Sequence, residues 1–169
     1  VPMGKEYYDY MIKLNTTTTK SADDIFKIGE AEVERLSNEM MKVKQQVGYN
    51  GDLKSFFDYI RNKKELMPFT KPEQVISNFN AIHERMKPNL AKLVDKKPKT
   101  PFEVRRTEAF REASASAEYM QGSQDGTRPG IFYVPVPDVT KYNMFADEDL
   151  FLHEAIPGHH YQISLQQEN

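Results

Sequence analysis

A long amphipathic pattern between Ser21 and Gly48 limits what this chain can fold into. Ser21 suits the N-cap of a helix and Gly48 is typical of a helix end. Between them, apolar residues recur at helical spacing on one face over about seven turns. The residues of this stripe are Ile25, Ile28, Val33, Leu36, Met40, Val43 and Val47. The pattern predicts one long helix with a single apolar stripe.

Three further segments in the first half have helical patterns. They run from Tyr7 to Leu14, from Asp52 to Lys64 and from Thr70 to Val94. The third begins with a typical capping sequence, in which Thr70 caps the amide of Glu73 and Glu73 reaches back. Pro88 is expected to kink this helix. Residues 1–95 are therefore predicted to be helical.

The pattern becomes extended after the basic, proline-containing run at residues 96–101, which we interpret as a linker. Phe102–Arg106 alternates with a period of two and predicts a strand. Ile131–Val134 is β-branched and aromatic and predicts a second strand. Pro135 and Pro137 follow directly, and they favour an edge strand or a strand end.

A final helix is predicted from Asp147 to Asn169, and it carries three of the four histidines. We therefore expect a mainly α fold with a small β element before a metal-site helix. The hydrophobic fraction of 38% is low for a compact globule, which favours a piece of a larger protein. We expect one partial domain over residues 1–169, helical in 1–95 and strand-containing in 96–169.

Composition excludes several classes of partner. The 23 basic and 25 acidic residues are interspersed and give a net charge of -2, so a nucleic-acid surface is not expected. No apolar run is long enough for a membrane span. The first residues do not resemble a signal peptide, so if the protein has one, it has already been removed from this sequence. Since there is no cysteine, imidazole and carboxylate groups must hold any metal.

The segment His153–His160 has the composition of a hydrolytic zinc site. Such a site needs about three imidazole or carboxylate ligands and a carboxylate that accepts a proton from water. In the common pattern His-Glu-x-x-His, the second histidine lies four residues after the first. Pro157 occupies that position here and cannot bind a metal. The second ligand is therefore His159 or His160.

Helix geometry does not decide between these two histidines. His160 returns to the face of His153 but lies roughly 10 Å along the axis, whereas His159 lies about 120° round it. Pro157 and Gly158 can deform the helix, and a bulge of two residues would bring His159 to the usual ligand position. We favour His159 as the ligand and His160 as a supporting or substrate contact. The choice stays open.

The histidines can also be interpreted without a metal-binding role. The cluster at residues 153–160 also fits an exposed helix end followed by a Pro-Gly turn. His83 is alone on a helix beside Glu84, and we interpret it as a structural or surface residue. Three histidines beside an acid within eight residues favour the metal interpretation for the first group.

These residues also carry a resemblance to a known family. The sequence His-Glu-Ala-Ile-Pro-Gly-His-His, preceded by Gly-Thr-Arg-Pro-Gly-Ile-Phe-Tyr-Val, resembles the bacterial family called domain of unknown function number 885. That family is similar to gluzincin-type zinc metallopeptidases. The resemblance implies a zincin-like, mainly α domain in which His153 and a second histidine bind zinc and Glu154 is the general base.

The resemblance also implies a third ligand that these residues lack. Family members carry a Glu-Gly-Trp-Ala type segment further along, whose glutamate would complete the site. This chain has no tryptophan and ends nine residues after His160. We therefore expect an incomplete zinc site here, which a missing C-terminal portion of the same protein would complete.

Four features upstream are candidates for substrate binding. Ile131–Val134 would hydrogen-bond an extended peptide if it is an edge strand, and otherwise it is a core strand. Arg128 would hold a substrate carboxylate, or else pair with Asp125. Tyr133 and Tyr142 are candidates to stabilise an oxyanion, although tyrosines near strands are more often packing residues.

The leading hypothesis is part of a zinc-dependent peptidase with a peptide substrate. Glu154 would take a proton from water and pass it to the leaving amine. One alternative is a non-catalytic helical binding or scaffolding domain with a vestigial histidine cluster. Another is a metal hydrolase of non-peptide amides or esters. The compartment is undetermined, and the bacterial periplasm or cell envelope fits if a signal peptide was removed.

Overall fold

The computed structural model describes residues 2–169, which form two compact units divided between Tyr59 and Ile60. The division falls well before residue 95, where the sequence pattern changes from helical to extended. None of the helices in residues 2–169 combines the length and the apolar character that a membrane span requires.

The first unit contains α1 (Gly4–Thr16), α2 (Ala22–Gln46) and most of α3 (Leu53–Asn62). Ser21 caps α2 as predicted. Its hydroxyl accepts the amide of Asp24 at 3.2 Å, and the Asp24 carboxylate accepts the amide of Ser21 at 3.1 Å. Gly48 follows the helix with a φ of 76°, a conformation that favours glycine.

The apolar stripe of α2 is largely exposed in this structure. Val33 is 66% exposed and Phe26, beside the stripe, is 67% exposed. Lys44 is the one buried residue of α2, and its amine donates to the carbonyl of Gly51. The amphipathic pattern therefore predicted the helix, but residues 2–169 contain nothing that buries most of its stripe.

The second unit begins with the last residues of α3, followed by a short 3-10 turn at Lys64–Leu66 and by α4 (Pro72–Leu90). The residue that reaches back at the start of α4 is Gln74, one position after the predicted Glu73. Its side-chain oxygen accepts the amides of Thr70 at 2.7 Å and Lys71 at 2.9 Å. The buried face of α4 consists of Val75, Phe79, Ile82 and Leu90.

A three-stranded sheet contains β1 (Phe102–Arg106), β2 (Glu118–Met120) and β3 (Gly130–Val134) in the order β1-β3-β2. β1 is parallel to β3 over five residues, and β2 is antiparallel to it over three. The edge-strand prediction for Ile131–Val134 is therefore wrong. The prolines that follow only end the strand, because they remove no amide from its ladder.

Alternate residues of the sheet face two different environments. Val104, Phe132 and Val134 belong to the core that contains α4 and α5, and the Phe132 ring packs edge-to-face on Phe79 at 5.1 Å. Tyr133 points to the opposite face. There the guanidinium of Arg111 lies 4.9 Å from the centre of its ring.

After two 3-10 turns at Val139–Lys141 and Met144–Ala146, the chain ends in two helices, α5 (Asp147–Glu154) and α6 (His159–Glu168). One deformed helix was expected here. The residues at 155–158 form a turn instead, which contains a cis peptide between Ile156 and Pro157. Pro157 lacks the amide that would continue the α5 hydrogen-bond pattern.

Candidate metal centre

The end of α5 and the beginning of α6 bring three potential metal ligands together. His153 and Glu154 are the last two residues of α5, and His159 is the first of α6. One ligand atom from each lies within 4.8 Å of the others. Among residues 2–169 no other group of histidine, aspartate and glutamate side chains is arranged in this way.

The turn between the helices is anchored in the core. Ala155 and Ile156 are buried, and the amide of Ala155 donates to the carbonyl of Phe151 at 2.9 Å. The amide of His160 then donates back to the carbonyl of Ala155 at 3.1 Å. These bonds return the chain to the end of α5, so that His159 faces His153.

The cluster is open to solvent on one side. His153 is exposed, whereas Glu154 and His159 are partly buried. The imidazoles of His153 and His159 lie with centroids 4.9 Å apart and planes at 89°. The Nε2 atom of His159 is 4.0 Å from a carboxylate oxygen of Glu154. This arrangement places two nitrogen donors and an oxygen donor near one another, with His153 exposed to solvent.

Zinc fits this set of donors. In a tetrahedral zinc site with bonds of about 2.0–2.2 Å, two ligand atoms lie about 3.4 Å apart. The observed ligand atoms lie within 4.8 Å of one another, so the side chains of His153, Glu154 and His159 would have to rotate toward a common point to hold an ion. Two imidazoles and a carboxylate are also ligands that zinc accepts. No fourth ligand from residues 2–169 joins the group.

His160 does not join this cluster. Its side chain is buried, with the residue 3% exposed, and its ring packs on Phe102 at 5.0 Å. Its Nδ1 atom lies 2.9 Å from the hydroxyl of Tyr119 and 3.4 Å from that of Ser164. Burial lowers the pKa of His160 to about 4, so the imidazole is neutral at pH 7.

Comparison with known proteins identifies the family. The family model described as "Bacterial protein of unknown function (DUF885)" matches residues 2–169. The chain belongs to this family. The DUF885 assignment agrees with the resemblance carried by the histidine motif. A comparison with curated proteins finds no match.

A solved structure is similar to this DUF885 chain. It is described as "the putative lipoprotein from Colwellia psychrerythraea", with a TM-score of 0.87 and 26% sequence identity. The match covers 99% of this chain and 29% of that chain. The DUF885 chain thus spans less than a third of the length of this relative.

Arg128 lies in a loop of the DUF885 chain and does not pair with Asp125, one of its two predicted partners. Its guanidinium donates to the carbonyl of Gln121, next to β2, at 2.8 Å. Asp125 instead accepts the hydroxyls of Ser123 at 2.5 Å and Thr127 at 2.8 Å. These hydrogen bonds lower the pKa of Asp125 to about 2. Arg128 remains exposed at the end of β2.

The two candidate tyrosines do not reach the cluster. Tyr133 lies on the face of the sheet opposite to the core, under Arg111. The hydroxyl of Tyr142 donates to Asp147 at 2.8 Å. Asp147 begins α5 while His153 is near its end, about 9 Å along the axis. Tyr133 thus contacts Arg111 and Tyr142 donates to Asp147, and an oxyanion role for either tyrosine stays a prediction.

Burial changes the pKa of the groups around Tyr142. Burial raises the pKa of Asp147 to about 6, and it raises the pKa of Tyr142 above its usual range. Asn78 also donates to Asp147, at 2.8 Å. His83 is half-buried between the rings of Phe102 and Phe151, and burial lowers its pKa, as expected for a structural histidine.

Two residues near the site were not predicted. Tyr119 contacts His160 across 41 positions of sequence, and Gly130 lies beneath both side chains. A Cβ on Gly130 would overlap the Tyr119 hydroxyl and stand 2.8 Å from Nδ1 of His160. The glycine in the Arg-Pro-Gly segment was the one local signal of such a close approach.

Proposed function

We propose that this DUF885 chain carries part of the active site of a zinc-dependent hydrolase that cleaves peptide bonds, in a manner similar to gluzincins. The single observation that supports this is the cluster of His153, Glu154 and His159, with ligand atoms within 4.8 Å. Imidazole and carboxylate groups beside an open space are the usual components of catalytic zinc sites.

His153 and His159 would hold the metal through neutral imidazole nitrogens. A bound zinc ion supplies Lewis acidity toward a carbonyl oxygen and lowers the pKa of water. Glu154 is partly buried beside both histidines, 4.0 Å from Nε2 of His159. Its carboxylate would accept a proton from water at an Oε atom and return it to the leaving amine.

The proposed peptide-binding edge is β2 rather than β3. β3 is paired on both sides, whereas β2 has one unpaired edge. An extended substrate would add to that edge by backbone hydrogen bonds, at Glu118–Met120. Tyr119 connects this strand to His160, next to His159. The exposed Arg128 at the end of β2 would then meet a substrate carboxylate.

The remaining ligand is proposed to come from outside residues 1–169. A catalytic zinc site has three protein ligands, and the cluster offers two histidines if Glu154 acts as the base. The similar solved chain is more than three times as long as the matched region, since the match covers 29% of it. A glutamate on a helix beyond residue 169 would complete the set.

The rate of peptide hydrolysis by the Glu154→Gln variant tests this proposal. The experiment uses the whole protein, including any segment beyond residue 169, loaded with zinc and assayed on a mixture of peptides. Removal of a general base is expected to lower kcat by about 10²- to 10⁴-fold while zinc content is unchanged. Asp149→Asn removes an exposed carboxylate from the same helix and is the matched control. Full activity in Glu154→Gln would exclude the proposed role.

Substrate profiling separates peptides from other substrates of the same chemistry. A hydrolase of non-peptide amides or esters would use the same three residues. Cleavage of such compounds with no cleavage of any peptide would favour it.

A non-catalytic helical binding domain is the second candidate function. The exposed apolar stripe of α2 favours it, with Val33 66% exposed. It predicts that Glu154→Gln changes no measurable activity, because no hydrolysis would occur in the unsubstituted protein either.

We propose an envelope location for the protein. The support is the similar solved structure, which is described as a "putative lipoprotein" and shares 26% identity. Fractionation of bacterial cells with periplasmic and cytoplasmic markers tests it. Recovery of the whole protein with the cytoplasmic marker alone would contradict this location.

A further inference from the structure

A partly buried hydrogen bond connects β2 to α6 directly beside the candidate metal ligand. The hydroxyl of Tyr119 lies 2.9 Å from Nδ1 of His160, and the hydroxyl of Ser164 lies 3.4 Å from the same nitrogen. Ser164 is four residues after His160, on the same face of α6. Both residues are buried.

The residues around this hydrogen bond pack closely against the side chains of Tyr119 and His160. Gly130 lies against both side chains, and a Cβ there would overlap the hydroxyl of Tyr119. The ring of His160 packs on Phe102 of β1, at 5.0 Å between centroids. The imidazole thus contacts residues of all three strands, and the hydroxyls of Tyr119 and Ser164 are its hydrogen-bond partners.

The contact of His160 with the sheet corresponds to one rotation of α6 about its axis. Successive residues of a helix are about 100° apart, so His159 is turned away when His160 points to the sheet. His159 then faces α5, where its ring lies 4.9 Å from that of His153. Apolar packing of the neighbouring Tyr161 has no preferred direction, whereas a buried hydrogen bond is directional and costly to break.

We infer that Tyr119 and His160 are positioning residues, whose hydrogen bond holds His159 in register with His153 and Glu154 for metal binding. The inference rests on the proposed function, because it assumes that the cluster binds a metal. It adds that the side-chain pair of Tyr119 and His160 links the edge strand β2 to the candidate metal centre. Neither Tyr119 nor His160 is proposed as a metal ligand.

Cobalt binding by Tyr119→Phe tests this inference. Co²⁺ replaces zinc in the whole protein, its dissociation constant is measured by titration, and its visible spectrum reports ligand geometry. Tyr119→Phe removes only the hydroxyl and is expected to weaken Co²⁺ binding about fivefold or more and to alter the spectrum.

Asn78→Ala is the matched control. It removes a partly buried hydrogen bond of 2.8 Å to Asp147, at the far end of α5. It is expected to lower Tm as much as Tyr119→Phe does, with no change in Co²⁺ affinity or spectrum. If Asn78→Ala and Tyr119→Phe lost Co²⁺ affinity equally, general destabilisation would explain the effect of Tyr119→Phe. That result would overturn the inference.

Two substitutions of His160 provide a rescue test. His160→Asn keeps a hydrogen-bond acceptor near the position of Nδ1, while His160→Leu removes it. We expect near-normal affinity in the first and a loss at least as large as in Tyr119→Phe in the second. Unchanged Co²⁺ affinity in both Tyr119→Phe and His160→Leu would overturn this inference but not the proposed metal site. No uptake of cobalt by the unsubstituted protein would instead overturn the proposed metal site and the inference with it.

Discussion

Gly158 lies directly against the backbone carbonyl of His153. A Cβ built on Gly158 would overlap that carbonyl oxygen and the carbonyl oxygen of Leu152. Glycine is therefore the residue that lets the chain fold back on the end of α5. This close approach places the beginning of α6, and with it His159, beside His153.

Gly158→Ala is predicted to disrupt this turn. The added methyl group must displace the backbone of α5 or α6, because its neighbours are main-chain atoms. We expect a loss of about 1–3 kcal/mol in the free energy of unfolding, together with weaker zinc binding. Urea denaturation and zinc titration measure the two effects.

Gly29→Ala is the control for the substitution itself. Gly29 lies within α2, and a Cβ there would have no neighbour within 4 Å. This variant is expected to gain about 0.4–1 kcal/mol, because alanine favours a helix and restricts the unfolded chain. A Gly158→Ala variant as stable as Gly29→Ala would show that the turn has room for a side chain.

Local signals explain which parts of the fold the sequence predicts well. Ser21 and Gly48 mark the ends of α2 through contacts within a few residues, so both ends were predicted. β1 was predicted with its observed bounds, because its alternation reflects the burial of one face. Signals of this kind do not depend on the rest of the chain.

Non-local contacts explain the failures. Pro135 and Pro137 indicate where β3 ends but carry no information about its neighbours, and β3 is the central strand. β2 has only three residues, too few for a recognisable alternation. Spacing alone could not separate His159 from His160, because the burial of His160 depends on Tyr119, 41 positions away.

The stability of the chain is predicted to depend on pH through Asp147. Burial raises the pKa of this carboxyl to about 6 from its ordinary value of 3.8. Between these values the folded chain binds more protons than the unfolded chain, so Asp147 makes the folded state less stable as the pH rises from about 4 to about 6.

Asp147→Asn removes this dependence. The free energy of unfolding of the variant, relative to the unsubstituted chain, is expected to rise across that window and to be constant above about pH 7. Urea denaturation at a series of pH values measures it. Asp149→Asn reports the general effect of removing one acidic charge from the same helical turn. A difference that is independent of pH would contradict the prediction.

Glu112 is predicted to stabilise the connection between β1 and the segment after β3. Its buried carboxylate accepts two hydrogen bonds from Arg106, at 2.7 and 2.8 Å, and one from the amide of Val136 at 2.7 Å. Glu112→Ala is expected to cost about 2 kcal/mol, because it leaves the amide and the guanidinium without this partner.

Glu103→Ala is the comparison for Glu112→Ala. Glu103 pairs with Arg105 on the same strand, but both side chains are about half exposed. An exposed pair contributes less than about 1 kcal/mol. Urea denaturation of the two variants is expected to give a clearly larger loss for Glu112→Ala, and equal losses would show that the buried carboxylate contributes no more than a surface pair.

Zinc binding by histidine variants of the whole protein tests the central claim most directly. Isothermal titration should give one zinc ion per chain, with affinity lowered about 100-fold or more in His153→Ala and in His159→Ala. His83→Ala, which changes a half-buried histidine packed on Phe102 and Phe151, should bind zinc as the unsubstituted protein does. Unchanged zinc affinity in both His153→Ala and His159→Ala would contradict a metal centre at the junction of α5 and α6.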